Sequence, residues 1–103
     1  MVKTIENIKL SFGEDHAEYI GNIVVDTNQH SIEFIDSETG EPIADICKIV
    51  PSLQPNEFAI KNYSENEGVY PQLITLGIIQ KAHRYYSQGY VSFPICKLKI
   101  DEL

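Results

Sequence analysis

An α+β fold is predicted: an antiparallel, curved sheet of five or six strands with one short helix packed on it. Three features of the 103-residue chain point there. Several segments alternate apolar and polar residues, the period of a half-buried strand. Short turns rich in Gly, Pro, Asn and Asp separate them. Only one stretch, residues 64–77, carries both helix-start and helix-stop signals. The length suits a single domain over residues 1–103 and leaves no room for a second.

In "NIKLSF", Ile8, Leu10 and Phe12 alternate with polar residues, and "GED" turns the chain. "AEYIGNIVVD" follows, with Ala17, Tyr19, Ile23 and Val25 on one side. After the loop "TNQH", "SIEFID" carries Ile32 and Phe34 on the corresponding side. "SETGEP" is the clearest turn, since Gly40 can adopt positive φ and Pro42 has no N–H to pair. "IADICKIV" makes the next strand and Pro51 ends it. A three-residue hairpin loop at Glu38-Thr39-Gly40 sets the register: Ala44 faces Phe34, Ile46 faces Ile32, and Asp45 faces Glu33. Two carboxylates opposed across a ladder repel. They need either water at an edge or a cation from elsewhere, and a one-residue slip would separate them.

"SLQPNE" reads as a connector and "FAIKN" as a short strand. In "NYSENEGVYPQL", Ser64 and Glu67 fit the capping box S-x-x-E, and Glu65 and Glu67 suit the positive end of a helix dipole. Gly68 weakens a helix, and Pro71 cannot donate to the residue four earlier. One capped turn at residues 64–69 is therefore expected, with a short helix restarting near Pro71 and closing at Gly77. Val69, Leu73 and Leu76 give it an apolar stripe for the sheet. "QKAHRYYSQG" reads as an exposed loop or turn. "YVSFPICKLKI" is the last strand, and Pro94 marks an edge or a bulge.

The opening residues "MVKTIENIKL" are too polar for a secretory leader, and no apolar run approaches the roughly 20 residues that span a bilayer. A soluble intracellular protein without membrane contact is the expectation. Cys47 and Cys96 both sit in Ile-Cys-Lys contexts and suit burial as small hydrophobes. His16, His30 and His83 fall in three separate turns, where solvation is the ordinary state. No phosphate-binding glycine loop, zinc-protease motif, nucleophile elbow or metal-spaced cysteine pair occurs. The sequence predicts no enzyme, no cofactor and no metal site.

The net charge of −7 is unevenly spread. Residues 1–57 hold eleven acids against three lysines, a charge of −8, whereas residues 58–103 total +1. Such a chain is a poor direct ligand for nucleic acid, but its acidic part suits a basic partner, or simply solubility. Glu18, Asp26, Glu33 and Asp45 form the candidate face, supplemented by Glu14, Asp15, Glu38 and Glu41 in turns. "HRYYSQGY" adds Arg84, Tyr85, Tyr86 and Tyr90, residue types favoured in interface hot spots, though tyrosines also line sheets with their hydroxyls in water.

The order "GEPIADI", "FAIKNYSENEG", "LGII", "SQGYVSFPICKL" resembles a family of small proteins encoded by bacterial phages and mobile elements. The matching motifs cover about residues 40–98, while the first 39 residues match only in strand pattern. Some members of that family look like inhibitors of type II-A CRISPR nucleases, the Cas9 class. The resemblance implies an anti-CRISPR protein in the bacterial cytoplasm, binding Cas9 or its guide-loaded complex; a monomer is the separate expectation. In that reading the contacts would be Glu18, Asp26, Glu33 and Asp45 of the acidic face with Tyr85 and Tyr86, joined by Glu65 and Glu67 among the residues that match the family, which the capping box also explains. An accessory module with a different protein partner and an enzyme acting on a defence component are the competing expectations.

Overall fold

The computed structural model describes residues 2–13, 15–63 and 66–99. Within them the strands are β1 (Val2–Phe12), β2 (Ala17–Asp26), β3 (Ser31–Asp36), β4 (Pro42–Asp45), β5 (Cys47–Lys48), β6 (Glu57–Ile60), β7 (Arg84–Gln88) and β8 (Val91–Lys97). One helix, α1 (Val69–Thr75), lies between β6 and β7. The α+β class stands, with antiparallel pairing throughout.

The strands form two sheets of four, ordered β1-β2-β3-β4 and β5-β6-β8-β7, not one sheet of five or six. The segment read as a single strand, residues 43–50, is instead divided over residues 42–48 between both sheets. Its first part pairs with β3 and its last part with β6. Between them, Ile46 donates its N–H to the Ile32 carbonyl (2.9 Å), and its own carbonyl accepts from Lys61 (2.7 Å). A strand that changes sheets at a bend is how orthogonally packed sheets make a corner. The second difference is β7, which occupies residues expected to be a loop. Polar residues on both sides obscured its period, yet Tyr85 and Tyr86 are good strand formers and pair with Pro94 and Phe93.

The β3–β4 register is the expected one: Phe34 faces Ala44 and Glu33 faces Asp45. The route to it differs. Asp36 donates to the Glu41 carbonyl (2.8 Å), so the loop has four residues, 37–40. The Asp36 carboxylate accepts from the Glu38 and Thr39 N–H groups (2.8 and 3.1 Å), which pulls its pKa below the usual value. A bulge at Ile43, between the Ile35–Pro42 and Phe34–Ala44 pairs, restores the register.

Leu10, Ile23, Val25, Ile32 and Phe34 face inward from the first sheet, meeting Phe58, Ile60 and Cys96 of the second. All eight are fully buried. The second sheet is covered on its other face too. There Val50 packs on Ala59, Phe93 and Ile95, with Leu53 beside them. Every residue of β6 is consequently buried. Pro94 lies in β8, an interior strand, rather than at a sheet edge. It sits one residue beyond the last β6–β8 pair, Ala59–Ile95, where the ladder has already stopped.

Helix α1 begins at Val69 instead of near Pro71, and Pro71 sits in its first turn. N–H groups there lack intrahelical partners, so a proline is tolerated. Val69 and Leu73 are fully buried, but Leu76 is the C-cap and 44% exposed. Gly77 (φ 75°) closes the helix, with Gly77 N–H bonded to Ile74 and Ile78 N–H to Leu73, the paired bonds of a Schellman motif. Among the described residues no helix is long and apolar enough to cross a membrane.

Gly21, in the middle of β2, is required by close approach. A Cβ placed there would lie 2.1 Å from the Ile35 carbonyl oxygen and 3.2 Å from the Phe34 ring. Backbone cannot yield that distance cheaply, and forcing atoms into a packed sheet costs about 1–3 kcal/mol. Gly21→Ala is expected to lower stability by about 2 kcal/mol or more, read as a shift of the urea midpoint.

Candidate protein-binding face

Paired residues on neighbouring antiparallel strands point to the same side, and positions two apart share a face. The pairs Ser11–Glu18, Val2–Asp26, Val24–Glu33 and Glu33–Asp45 therefore bring all four predicted strand acids onto the outer face of the first sheet. Between them lie apolar side chains. Ile20 is 60% exposed, while Val24 and Ile35 are half-buried. Asp15, Glu38 and Glu41 are exposed in the turns.

Most of these carboxylates already have local tasks. Glu18 is paired with Lys9 (2.9 Å). The Asp26 carboxylate accepts from the Asn28 and Gln29 N–H groups (3.0 and 3.3 Å) and so caps the β2–β3 turn. Asp45 has Lys61 at 3.8 Å, a loose contact. That lysine is the cation the opposed acids called for, but it does not reach both. Glu33 is exposed and has no ion pair among the described residues. The site therefore centres on Glu33 and Asp45, with Val24 and Ile35 as its apolar floor.

The remaining predicted contacts are elsewhere. Glu14, Ser64 and Glu65 lie outside the described residues, and with them the Ser64–Glu67 capping box. At the helix start the Asn62 carboxamide oxygen accepts from Gly68 (3.1 Å) and Tyr70 (2.9 Å). That cap comes from Asn62, which precedes the expected capping box. Glu67 is exposed, and its carbonyl accepts from Gly13 (3.2 Å). Asn66 is buried and donates to the Asp45 carbonyl (3.0 Å), so part of the SENEG element is a tie between the helix start and β4. Tyr85 and Tyr86, adjacent on β7, point to opposite faces. Tyr85 is 61% exposed, and Tyr86 packs beside Phe93. They form no joint surface with one another or with the acids of the first sheet.

The most ordered polar cluster was missed in the sequence. Glu57, placed in a connector by its polar neighbours, opens β6 with a side chain only 3% exposed. Its carboxylate accepts from Arg84 Nη2 (2.7 Å), from the Gln54 N–H (2.7 Å) and from the His83 ring. Arg84 also donates to the Ser52 carbonyl (2.9 Å), and His30 Nδ1 lies 2.9 Å from the Glu57 carbonyl. Two of the three histidines thus hold one residue instead of being merely solvated. Arg84 above all holds the Glu57 pKa down to about 2, and Glu57 raises that of Arg84. A carboxylate with its acceptors filled and a pKa that low neither donates a proton at neutral pH nor has room for a substrate.

Both cysteines are buried and free. Desolvation raises the Cys47 pKa well above normal and that of Cys96 to about 12, so both are thiols rather than nucleophilic thiolates. A hollow of about 380 Å³ lies between Phe12, Tyr19, Ile43, Ala44 and Asn66. Another of about 440 Å³ flanks the strand switch, lined by His30, Asp45, Lys48, Lys61 and Tyr63. Among the described residues no group of three or more His, Cys, Asp or Glu side chains could hold a metal ion.

Comparison with protein-family models, with curated proteins and with solved structures gives no match.

The Glu57 cluster yields a stability prediction. The folded-state pKa is depressed, so its contribution is complete above the ordinary value of 4.5 and is lost as pH falls towards about 2. Hydrogen bonds to charged groups contribute roughly 1.5–3 kcal/mol each. Glu57→Gln is expected to lower stability by about 2–3 kcal/mol at pH 7. The gap from the unaltered protein should narrow as pH falls from 4.5 to 2, checked by urea unfolding across that range.

Proposed function

We propose that this protein is a non-catalytic inhibitor that binds a type II-A Cas9 and occupies its basic DNA-accepting surface with the outer face of the first sheet. The observation that supports an acidic contact is the Glu33–Asp45 pair. Two carboxylates stand opposite one another across a ladder, Lys61 lies 3.8 Å from one of them, and half-buried Val24 and Ile35 lie beside them. Like charges at that spacing are unfavourable in the free protein, and a partner's arginine or lysine would relieve them. Cas9 is the proposed partner because of the motif resemblance over residues 40–98, and it carries cationic channels for a heteroduplex and its flanking duplex.

The chemistry sets the strength of such a complex. Strand carboxylates two residues apart are separated by about 6.6–6.8 Å, whereas duplex DNA presents one charge per about 1.7 Å of axis. Mimicry by charge alone would be weak and salt-sensitive. Ile20, Val24 and Ile35 supply the apolar centre that a stable interface requires inside a polar rim.

Titration into a guide-loaded Cas9 cleavage reaction tests the reading. Cleavage should be lost near one equivalent of protein. Glu33→Gln with Asp45→Asn should raise the concentration needed at least tenfold without lowering stability, read from the urea midpoint, by more than about 0.5 kcal/mol, since the opposed charges are removed together. Loss of cleavage far below one equivalent would indicate an enzyme instead. No loss with several Cas9 orthologs would leave an accessory module with another partner.

A further inference from the structure

The two sheets form one run, β1-β2-β3, the shared strand 42–48, β6-β8-β7, so the run ends at β1 and at β7. Natural proteins guard such ends because an open strand edge offers unpaired N–H and C=O groups to any extended chain. β1 is guarded. It bulges between Ile5 and Ile8, with Asn7 at φ 58°. Further along, the Gln72 carboxamide accepts from the Ser11 N–H (2.9 Å) and donates to the Ser11 carbonyl (2.8 Å), taking the place of a neighbouring strand. β7 has none of these devices among the described residues. It is regular from Arg84 to Gln88, and its one charged side chain, Arg84, is turned onto Glu57. Tyr85 and Tyr90 stand exposed at its two ends.

Among the described residues from Gly68 to Lys99 every Asp, Glu, Lys or Arg side chain is basic, and the acid packed against β7, Glu57, is already paired with Arg84. Between Glu67 and Asp101 the chain has no acid, but it has Lys81, Arg84, Lys97 and Lys99. Backbone bonds bring the lysines to one end of β7. Gln80 donates to the Lys97 carbonyl (2.9 Å), Lys99 donates to Ile78 (2.9 Å), and His83 donates to Ile95 (3.2 Å). Lys81, Lys97 and Lys99 are exposed, and none has an ion pair among the described residues.

We propose that β7 is a second docking surface, which takes an extended acidic segment of a partner protein as an added strand of the second sheet. Main-chain bonds to β7 supply the affinity of such strand addition. Lys81, Lys97 and Lys99 select acidic over basic segments, and Tyr85 and Tyr90 flank the added strand. This surface belongs to the second sheet and does not depend on what the acidic face of the first sheet binds.

Three fluorescent peptides of equal length test it. One alternates glutamate with valine and threonine; the second has lysine in place of glutamate; the third is the acidic peptide N-methylated along one edge, which blocks strand pairing and keeps the charge. At about 50 mM salt the acidic peptide is expected to bind at least tenfold tighter than either control and to slow amide exchange at Arg84–Gln88. Lys81→Glu with Lys97→Glu should abolish its advantage over the lysine peptide. Equal binding of the acidic and methylated peptides would overturn the strand-addition geometry. Equal binding of the acidic and lysine peptides would overturn the charge selection. Protection of β7 that appears without peptide and rises with protein concentration would assign the edge to a second copy of this chain, and would also overturn the proposal.

Discussion

The structure depends on the backbone of Ile46. Its N–H bonds to Ile32 in the first sheet, its carbonyl accepts from Lys61 beside the second, and its side chain is fully buried between them. One residue thus fixes where the chain leaves one sheet and joins the other. A buried backbone polar group without a partner is costly, so the bend is tolerable only because each half of the peptide finds a strand. The join between the two sheets follows from that corner.

A second constraint holds the far side. β6 is short and buried at every position, and it begins with a glutamate. Glu57 is stable there because β7 brings Arg84 and His83 to its carboxylate while the loop before β6 supplies the Gln54 N–H. The cluster ties the loop, β6 and the last hairpin together. Removing one member of a buried charge pair leaves the other uncompensated, so these residues act as a unit. The same arrangement consumes the arginine that the sequence offered as a contact residue. Sheet order also separates the charges: acids collect on the outer face of the first sheet, and exposed lysines collect beside the edge of the second.

The sequence by itself determined the strand pattern of residues 7–36, the inward direction of Leu10, Ile23, Val25, Ile32 and Phe34 (though Ala17 and Tyr19, read on the same side, are exposed), the opposition of Glu33 and Asp45, and the helix stop at Gly77. Each rests on a local rule: a period of two, a turn, or a positive φ. Even the hairpin register was legible although its loop length was not, because the apolar pattern on both strands requires it and a bulge at Ile43 absorbs the extra residue. The sequence also placed four carboxylates on one face, since alternation along paired strands is itself local.

Only the tertiary structure decided that residues 42–48 divide between two sheets, that Arg84–Gln88 is a strand, and that Glu57, His30 and His83 meet. Those facts depend on partners far apart in the chain. Arg84 reads as a surface cation until β6 is beside it, and Glu57 reads as a loop acid until Arg84 arrives. Asn62 and Gln72 are likewise ordinary polar residues in sequence. Their roles, capping the helix and closing the β1 edge, exist because folding leaves specific N–H and C=O groups that must be satisfied. Which outer-face acids have a lysine beside them was decided the same way, by where Lys9 and Lys61 came to rest.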